Sequence, residues 1–313
     1  MRLRAQKLRR FVAHPFLGVL RDRRLRLAAI LSVAVAFAAG GLPRAARAAV
    51  RSSAPPRNAS QLRNGLLLQS LNVFGLPWPA GNDVANRCSR IAAAIDASAP
   101  DVVALQEVWD DESRTPLLVE GYDAAWCESA SGLLGQNGLM TLSRLPIVES
   151  RLFRFSSASG VEVWTSKGAL RTVLSAPGGG SIPVWNVHLQ SGVDAGTIRA
   201  DQIRELTAWI AECGDRCCVV LGDFNCAPGD AEWPALVDRL AALGIERRSG
   251  DEPTYDHFQN PLATPEPPAA IDHVFVGAAL PGRETRAHRA YDRPSEHGFV
   301  SDHFGLEILL PRR

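Results

Sequence analysis

Six apolar, strand-forming runs in this chain begin or end in a side chain that binds cations or carries protons. The runs are LLLQSLNVF with Asn72, DVVALQEVW with Glu107, SIPVWNVHL with His188, CCVVLGDFN with Asp223 and Asn225, IDHVFVG with Asp272, and HFGLEILL with Asp302 and His303. A polar group at the end of a buried strand needs a partner, or it costs about 1–3 kcal/mol. Strand alternation puts Asp223 and Asn225 on one side with Phe224 opposite, and pairs Asn186 with His188 in the same way. One such residue alone is an ordinary turn or cap residue. Six in succession constrain the fold more tightly: the strands must be laid so that their polar ends meet.

Helical patterns separate these runs. Residues 83–98 place Val84, Cys88, Ile91 and Ile95 on one face, and Pro100 stops the helix. Residues 197–212 repeat the spacing with Ile203, Leu206 and Ile210, and residues 231–243 are helical after their proline. QNGLMTLSR (136–144) and VEVWTS (161–166) read as shorter strands. Gly178, Gly179 and Gly180 between two strand patterns signal a hairpin. Strands mixed with helices, with hairpins among them, predict one α/β domain over 66–313 built on a mixed or antiparallel sheet.

Residues 1–48 read as a targeting peptide. A basic start is followed by the apolar run 27–42 and by small residues at Ala46 and Ala48. The run of 16 residues is short for a membrane span of about 20. The expectation is a secreted or periplasmic protein cleaved after Ala48; the alternative is a membrane anchor made by an uncleaved signal. Residues 49–65 read as a polar, proline-containing linker. The first 48 residues hold 11 of the 34 basic side chains and 1 of the 33 acidic ones, leaving 23 against 32, a net charge of −9. That balance argues against bulk attraction to a phosphate polymer, so nucleic acid is the less favoured partner. Six cysteines permit disulfides without fixing their connectivity, and zinc is the alternative reading of the Cys213–Cys226 stretch.

Carboxylate and amide oxygens are the ligands of hard cations such as Mg²⁺. A cation of that kind neutralises phosphate and leaving-group charge, and a histidine beside an aspartate takes a proton from attacking water. The residues therefore suit phosphoester hydrolysis.

LNVFGLP, LQEVW, NVHL, LGDFN, IDHVFV and SDH resemble, in sequence and order, the endonuclease/exonuclease/phosphatase superfamily, over roughly 66–311. The resemblance implies a DNase I-like, four-layer α/β sandwich of two packed mixed β-sheets flanked by helices. It implies Glu107 as principal metal ligand with Asn72 beside it and Asp302 near the metal. It gives His188 to the phosphate, Asp223 and Asn225 to water or phosphate, His303 as catalytic histidine and Asp272 as its orienting carboxylate. Mg²⁺ is the expected cofactor, with Mn²⁺, Ca²⁺ or Co²⁺ as alternatives. Within the superfamily the chain is most similar to neutral sphingomyelinases and related bacterial phospholipases C. WTSKGALRT resembles their Lys-Gly segment and adds Lys167 to the site, while Arg199 and Gln202 match a helix pair of structural character. EPTYDHFQNPLA resembles their Thr-aromatic-Asp segment, and His273 stands where tyrosine is more usual. The implied partner is a phospholipid surface acted on by a monomer. Trp78, Leu133 and Leu134 are candidates for dipping into it.

Overall fold

The computed structural model describes residues 45–52, 65–77, 79–127, 136–176, 179–282 and 284–311. Residues 1–44 of the expected targeting peptide (1–48), most of the expected linker, Trp78, Leu133 and Leu134 lie outside the described residues.

The strands are β1 (Ala45–Arg47), β2 (Ala49–Arg51), β3 (Gly65–Asn72), β4 (Val102–Gln106), β5 (Asp123–Trp126), β6 (Met140–Ser143), β7 (Ile147–Arg154), β8 (Gly168–Ser175), β9 (Ser181–His188), β10 (Val219–Asp223), β11 (Ile245–Arg247), β12 (Asp272–Gly277), β13 (His288–Ala290) and β14 (Gly305–Pro311). The helices are α1 (Val84–Ser98), the single turn α2 (Asp111–Arg114), α3 (Gly196–Cys213) and α4 (Trp233–Ala242). One sheet runs β1-β7-β8-β9-β10-β12-β11 and the other β13-β14-β3-β4-β6-β5-β2. β9 and β10 are parallel, as are β3 and β4; the other pairs are antiparallel, so both sheets are mixed. The glycine-marked hairpin is β8–β9, in register from Gly168↔His188 to Ser175↔Ser181.

Alternation along the strands builds the layers. In β4, Val103 and Leu105 face α1, where they pack with Val84, Cys88, Ile91 and Ile95. Val102 and Ala104 point the other way and meet Val184, Val219, Leu221 and Val274 of the opposite sheet. On the far side of that sheet Trp185, Val187, Val220 and Phe275 pack under Ile203, Leu206 and Ile210 of α3 and Leu236 and Leu240 of α4. The order is helix, sheet, sheet, helix: the four-layer sandwich that the motifs implied.

Two local expectations change. Residues 161–166 are not a strand: Gly160–Trp164 form a 3₁₀ turn, with Gly160 at φ 57°. An alternating V-E-V-W pattern does not distinguish an edge strand from a turn that lays Glu162 inward. The described part of 49–65 is not all linker: β2 pairs with β5 at one sheet edge, and the preceding β1 pairs with β7 at an edge of the other sheet. Among the described residues, no helix is long and apolar enough to cross a membrane.

Candidate active site

The parity that sorts the cores also gathers the polar strand ends. Leu68, Val184, Val219, Leu221, Val274 and Val276 face the space between the sheets. Asn72, His188, Asp223 and Asp272 continue those alternations, two or four residues along the same strands. All four are buried at the same end of the sandwich. Asp223 sits level with His188 on one side and with Asp272 on the other. The second sheet supplies Asn72, Glu107 just beyond β4, and Asp302 and His303 just before β14.

The chain turns sharply where it leaves three of these strands. Phe74 (φ 52°), Glu107 (φ 60°) and Asn225 (φ 47°) are left-handed. Asparagine tolerates that region; phenylalanine and glutamate rarely enter it, and such strain clusters at functional sites. Gly75 is required here, because a Cβ would stand 2.2 Å from the Glu107 carbonyl oxygen.

His303 and Asp272 form a dyad, with Nδ1 and Oδ2 2.8 Å apart. His303 Nε2 lies 3.9 Å from Asp223 Oδ2, too far for a hydrogen bond. Burial opposes the charged imidazolium, yet the carboxylates of Asp272, Asp223 and Asp302 outweigh it and hold the His303 pKa well above the usual histidine range. Thr254, in the TYDH segment, accepts the Asp272 N–H on its hydroxyl, and the Tyr255 ring stands edge-on to His303 at 5.1 Å.

A second constellation lies beside the first. Lys167 Nζ is 2.9 Å from His188 Nε2, 2.8 Å from the Leu189 carbonyl oxygen and 2.6 Å from Glu162 Oε1. Lys167 is thus buried in the site, not solvated at a strand end. His188 Nε2 also lies 3.4 Å from Asp223 Oδ2. Burial, Lys167 and His303 together hold His188 neutral, its pKa well below the usual range. Asn225 donates its amide to Leu189 O and its backbone N–H to Asp223 Oδ1.

Burial pushes Asp223 up to about 6 and Asp302 up to about 7, with the neighbouring Glu107 adding to the second shift. Glu107 Oε2 is buried and, among the described residues, has no hydrogen-bond partner. A crowded, oxygen-rich pocket with an orphaned carboxylate oxygen fits a hard divalent cation, which Glu107 and Asp302 would hold. Asn72 is placed differently from a simple ligand. Its amide NH₂ bridges Glu107 Oε1 (3.1 Å) and Asp223 Oδ2 (3.0 Å), while its Oδ1 accepts the Phe74 N–H. Asp223, Asp272 and His303 also cluster at metal-binding distance. Within that group His303 and Asp272 are hydrogen-bonded to each other at 2.8 Å.

The nine catalytic and metal-ligand candidates, Asn72, Glu107, Lys167, His188, Asp223, Asn225, Asp272, Asp302 and His303, lie in this region. The sequence reading missed Glu162, Trp109, whose ring stands 6.4 Å from His188, and Ser301, whose hydroxyl donates to the Asn72 carbonyl oxygen. Arg199 and Gln202 are struts: Arg199 pairs with Glu232 and reaches Gln190 O, while Gln202 Oε1 accepts the Gln190 N–H. Cys88, Cys213, Cys217, Cys218 and Cys226 are free thiols. Among the described residues Cys226 groups with Asp230 and Glu232 rather than with another cysteine, and Glu232 is already paired with Arg199.

A model of the Endonuclease/Exonuclease/phosphatase family matches residues 70–303. An uncharacterized protein of Caenorhabditis elegans is 21% identical over 304 residues, 78% of this chain and 90% of its own. Sphingomyelinase C from Streptomyces griseocarneus superposes with a TM-score of 0.61 at 22% identity, covering 79% of this chain and 99% of its own. Beta toxin from Staphylococcus aureus, in a structure with bound magnesium ions, gives 0.62 at 19% identity over 79% and 99%. Truncated Caenorhabditis elegans TDP2 gives 0.63 at 19% identity over 79% and 97%. At these identities the structural likenesses establish the fold.

Proposed function

The chain belongs to the endonuclease/exonuclease/phosphatase family, and from that premise we propose that it is an exported, Mg²⁺-dependent phosphodiesterase acting on a phospholipid headgroup, with sphingomyelin, cleaved to ceramide and phosphocholine, as first substrate. The observation that carries the reading is the buried His303–Asp272 pair facing Asp223, with the Lys167–His188 pair beside it.

Water is activated at His303. Asp272 fixes the imidazole through Nδ1, leaving Nε2 as the atom that takes the proton. Without a cation the surrounding carboxylates keep the imidazolium stable; a cation held by Glu107 and Asp302 would offset part of that negative charge and leave Nε2 free to take the proton. Lys167 and neutral His188 form the seat for a non-bridging phosphate oxygen, with the Asn225 amide at its edge. Asn72 keeps Glu107 and Asp223 in register across the two sheets. Glu107 and Asp302 would hold a divalent cation, whose charge would neutralise that of the phosphate and the leaving group.

The Lys167-Gly168 segment and the TYDHFQNP segment support a lipid phosphodiester, as does the likeness in fold to a sphingomyelinase C. The acidic balance after residue 48 supports it too, since a nuclease gains from basic residues that track phosphates. The equal likeness to TDP2 favours a second reading, another phosphoesterase on the same fold. The deciding assay compares sphingomyelin in mixed micelles, plasmid DNA, RNA and soluble phosphate monoesters at matched Mg²⁺. Choline-phosphate release above DNA hydrolysis is expected; efficient DNA nicking without lipid turnover reverses the order. Export is tested separately by mass spectrometry of the mature N-terminus, expected at or near Ala49. An intact Met1 in a membrane fraction favours the uncleaved anchor.

A further inference from the structure

Arg87 is a charged residue in the apolar stripe of α1, between Val84 and Cys88 and 3% exposed. A guanidinium at that depth is costly unless its donors are satisfied, and the usual partner is a carboxylate. Here its four hydrogen bonds among the described residues all end on main-chain oxygens. Nη1 donates to Val73 O (2.8 Å) and Val300 O (2.9 Å), Nη2 to Phe74 O, and Nε to Asn82 O (3.0 Å). The guanidinium also lies 5.1 Å from the centroid of the Phe74 ring.

The two segments it joins are the ones that carry the site. Residues 72–74 leave β3 with Asn72, which bridges Glu107 and Asp223. Residues 300–303 enter β14 with Asp302 and His303. They are more than 200 residues apart in sequence, and Ser301, donating to Asn72 O, is their second cross-link. Phe74 is left-handed, a conformation it holds only if its surroundings impose it. A planar fork with fixed donor directions can impose it on two carbonyls at once; an ammonium cannot.

We propose that Arg87 is a positioning residue for the reaction: it locks the segment after Asn72 against the segment before His303, and so sets the spacing between the cation-binding carboxylates and the catalytic dyad. The proposal rests on the phosphodiesterase reading of this site. It is specific to the guanidinium, so charge alone does not replace it.

The test uses full-length Arg87→Lys and Arg87→Met, compared with wild type by hydrogen exchange and by turnover of a soluble phosphodiester. The protected amides in question are Val73, bonded to Gln106 O, Phe74, bonded to Asn72 Oδ1, and His303, bonded to Ser301 Oγ. Both variants are expected to exchange faster at these amides and to keep wild-type exchange in β10 and α3. With that pattern kcat falls by about 10²-fold, the cost of roughly an ångström of misplacement, while KM changes little. Uniformly faster exchange, with activity loss that follows the thermal midpoint, would make Arg87 a stability element and overturn the inference. Wild-type exchange at both segments overturns it as well. If wild-type protein turns over no phosphodiester, the proposed function fails and the exchange comparison alone decides the role of Arg87.

Discussion

At the scale of single residues, the site divides into groups that answer to different perturbations. Glu107 offers a buried, unpartnered oxygen among the described residues and holds Asn72 with the other. Glu107→Ala is therefore expected to abolish Mg²⁺ binding in calorimetry and to lower kcat by several orders of magnitude, with the circular dichroism spectrum unchanged. EDTA should have the same effect on wild type and Mg²⁺ should reverse it; full activity in EDTA would remove the cation from the mechanism. On the proposed mechanism His303 handles protons, so His303→Ala should cost about 10²–10⁴ in rate, the range of general acid–base catalysis. Asp272→Asn keeps a hydrogen-bonding group at Nδ1 but removes the charge that stabilises the imidazolium. It should impair kcat and leave Mg²⁺ affinity near wild type. Near-wild-type turnover in His303→Ala would exclude the dyad.

At the scale of elements, β12 presents Asp272 to the site and His273 to the other face of its sheet. There His273 packs against Trp233 (4.7 Å between ring centroids) and Phe224 (5.7 Å), donates its Nε2–H to the Cys226 carbonyl oxygen, and meets the Ser249 hydroxyl at Nδ1. Burial holds its pKa down at about 4 against an ordinary 6.5. Above pH 6.5 both folded and unfolded histidine are neutral and the effect on stability vanishes. As pH falls below 6.5 the unfolded chain binds the proton first, so stability declines by up to about 1.4 kcal/mol per unit until the folded residue also protonates near pH 4. A urea titration between pH 7 and 4 should show that decline in wild type and less of it in His273→Gln; identical slopes would assign it elsewhere. Much of this architecture was legible beforehand, because alternation within a strand is local. Asp223 against Phe224, and His188 with Asn186, follow from period two alone. What was not legible depends on distant partners. Glu162 reads as part of a strand until Ser191, from another loop, donates both its N–H and its hydroxyl to the carboxylate and fixes the turn. Arg87 interrupts an apolar stripe for the sake of carbonyls on loops that no spacing rule brings together.

At the scale of the whole molecule, neither sheet holds a complete site: one supplies Lys167, His188, Asp223 and Asp272, the other Asn72, Glu107, Asp302 and His303. Catalysis therefore requires that the sheets keep one relative position, and an apolar interface alone sets that loosely. Asn186 supplies direction. It is fully buried on β9; its Oδ1 accepts the Gln106 amide at 2.8 Å, and its Nδ2 donates at 3.0 Å to the carbonyl oxygens of Leu105 and of Met140 across the interface. It stands two residues before His188, and Gln106 one residue before Glu107, so the bridge connects the bases of the two halves of the site. Asn186→Ala removes three buried hydrogen bonds, to Gln106 and to the carbonyl oxygens of Leu105 and Met140, and should destabilise the fold by about 1–3 kcal/mol. It should lower kcat beyond that, in protein still folded, because His188 and Glu107 lose their common anchor. Gln106→Ala should reproduce part of both effects, and the double variant should cost less than the sum, since the two side chains share one bond. Urea unfolding followed by activity and by circular dichroism should give one midpoint for wild type, with activity lost before structure in Asn186→Ala. A wild-type midpoint and wild-type kcat in Asn186→Ala would mean that apolar packing alone aligns the sheets.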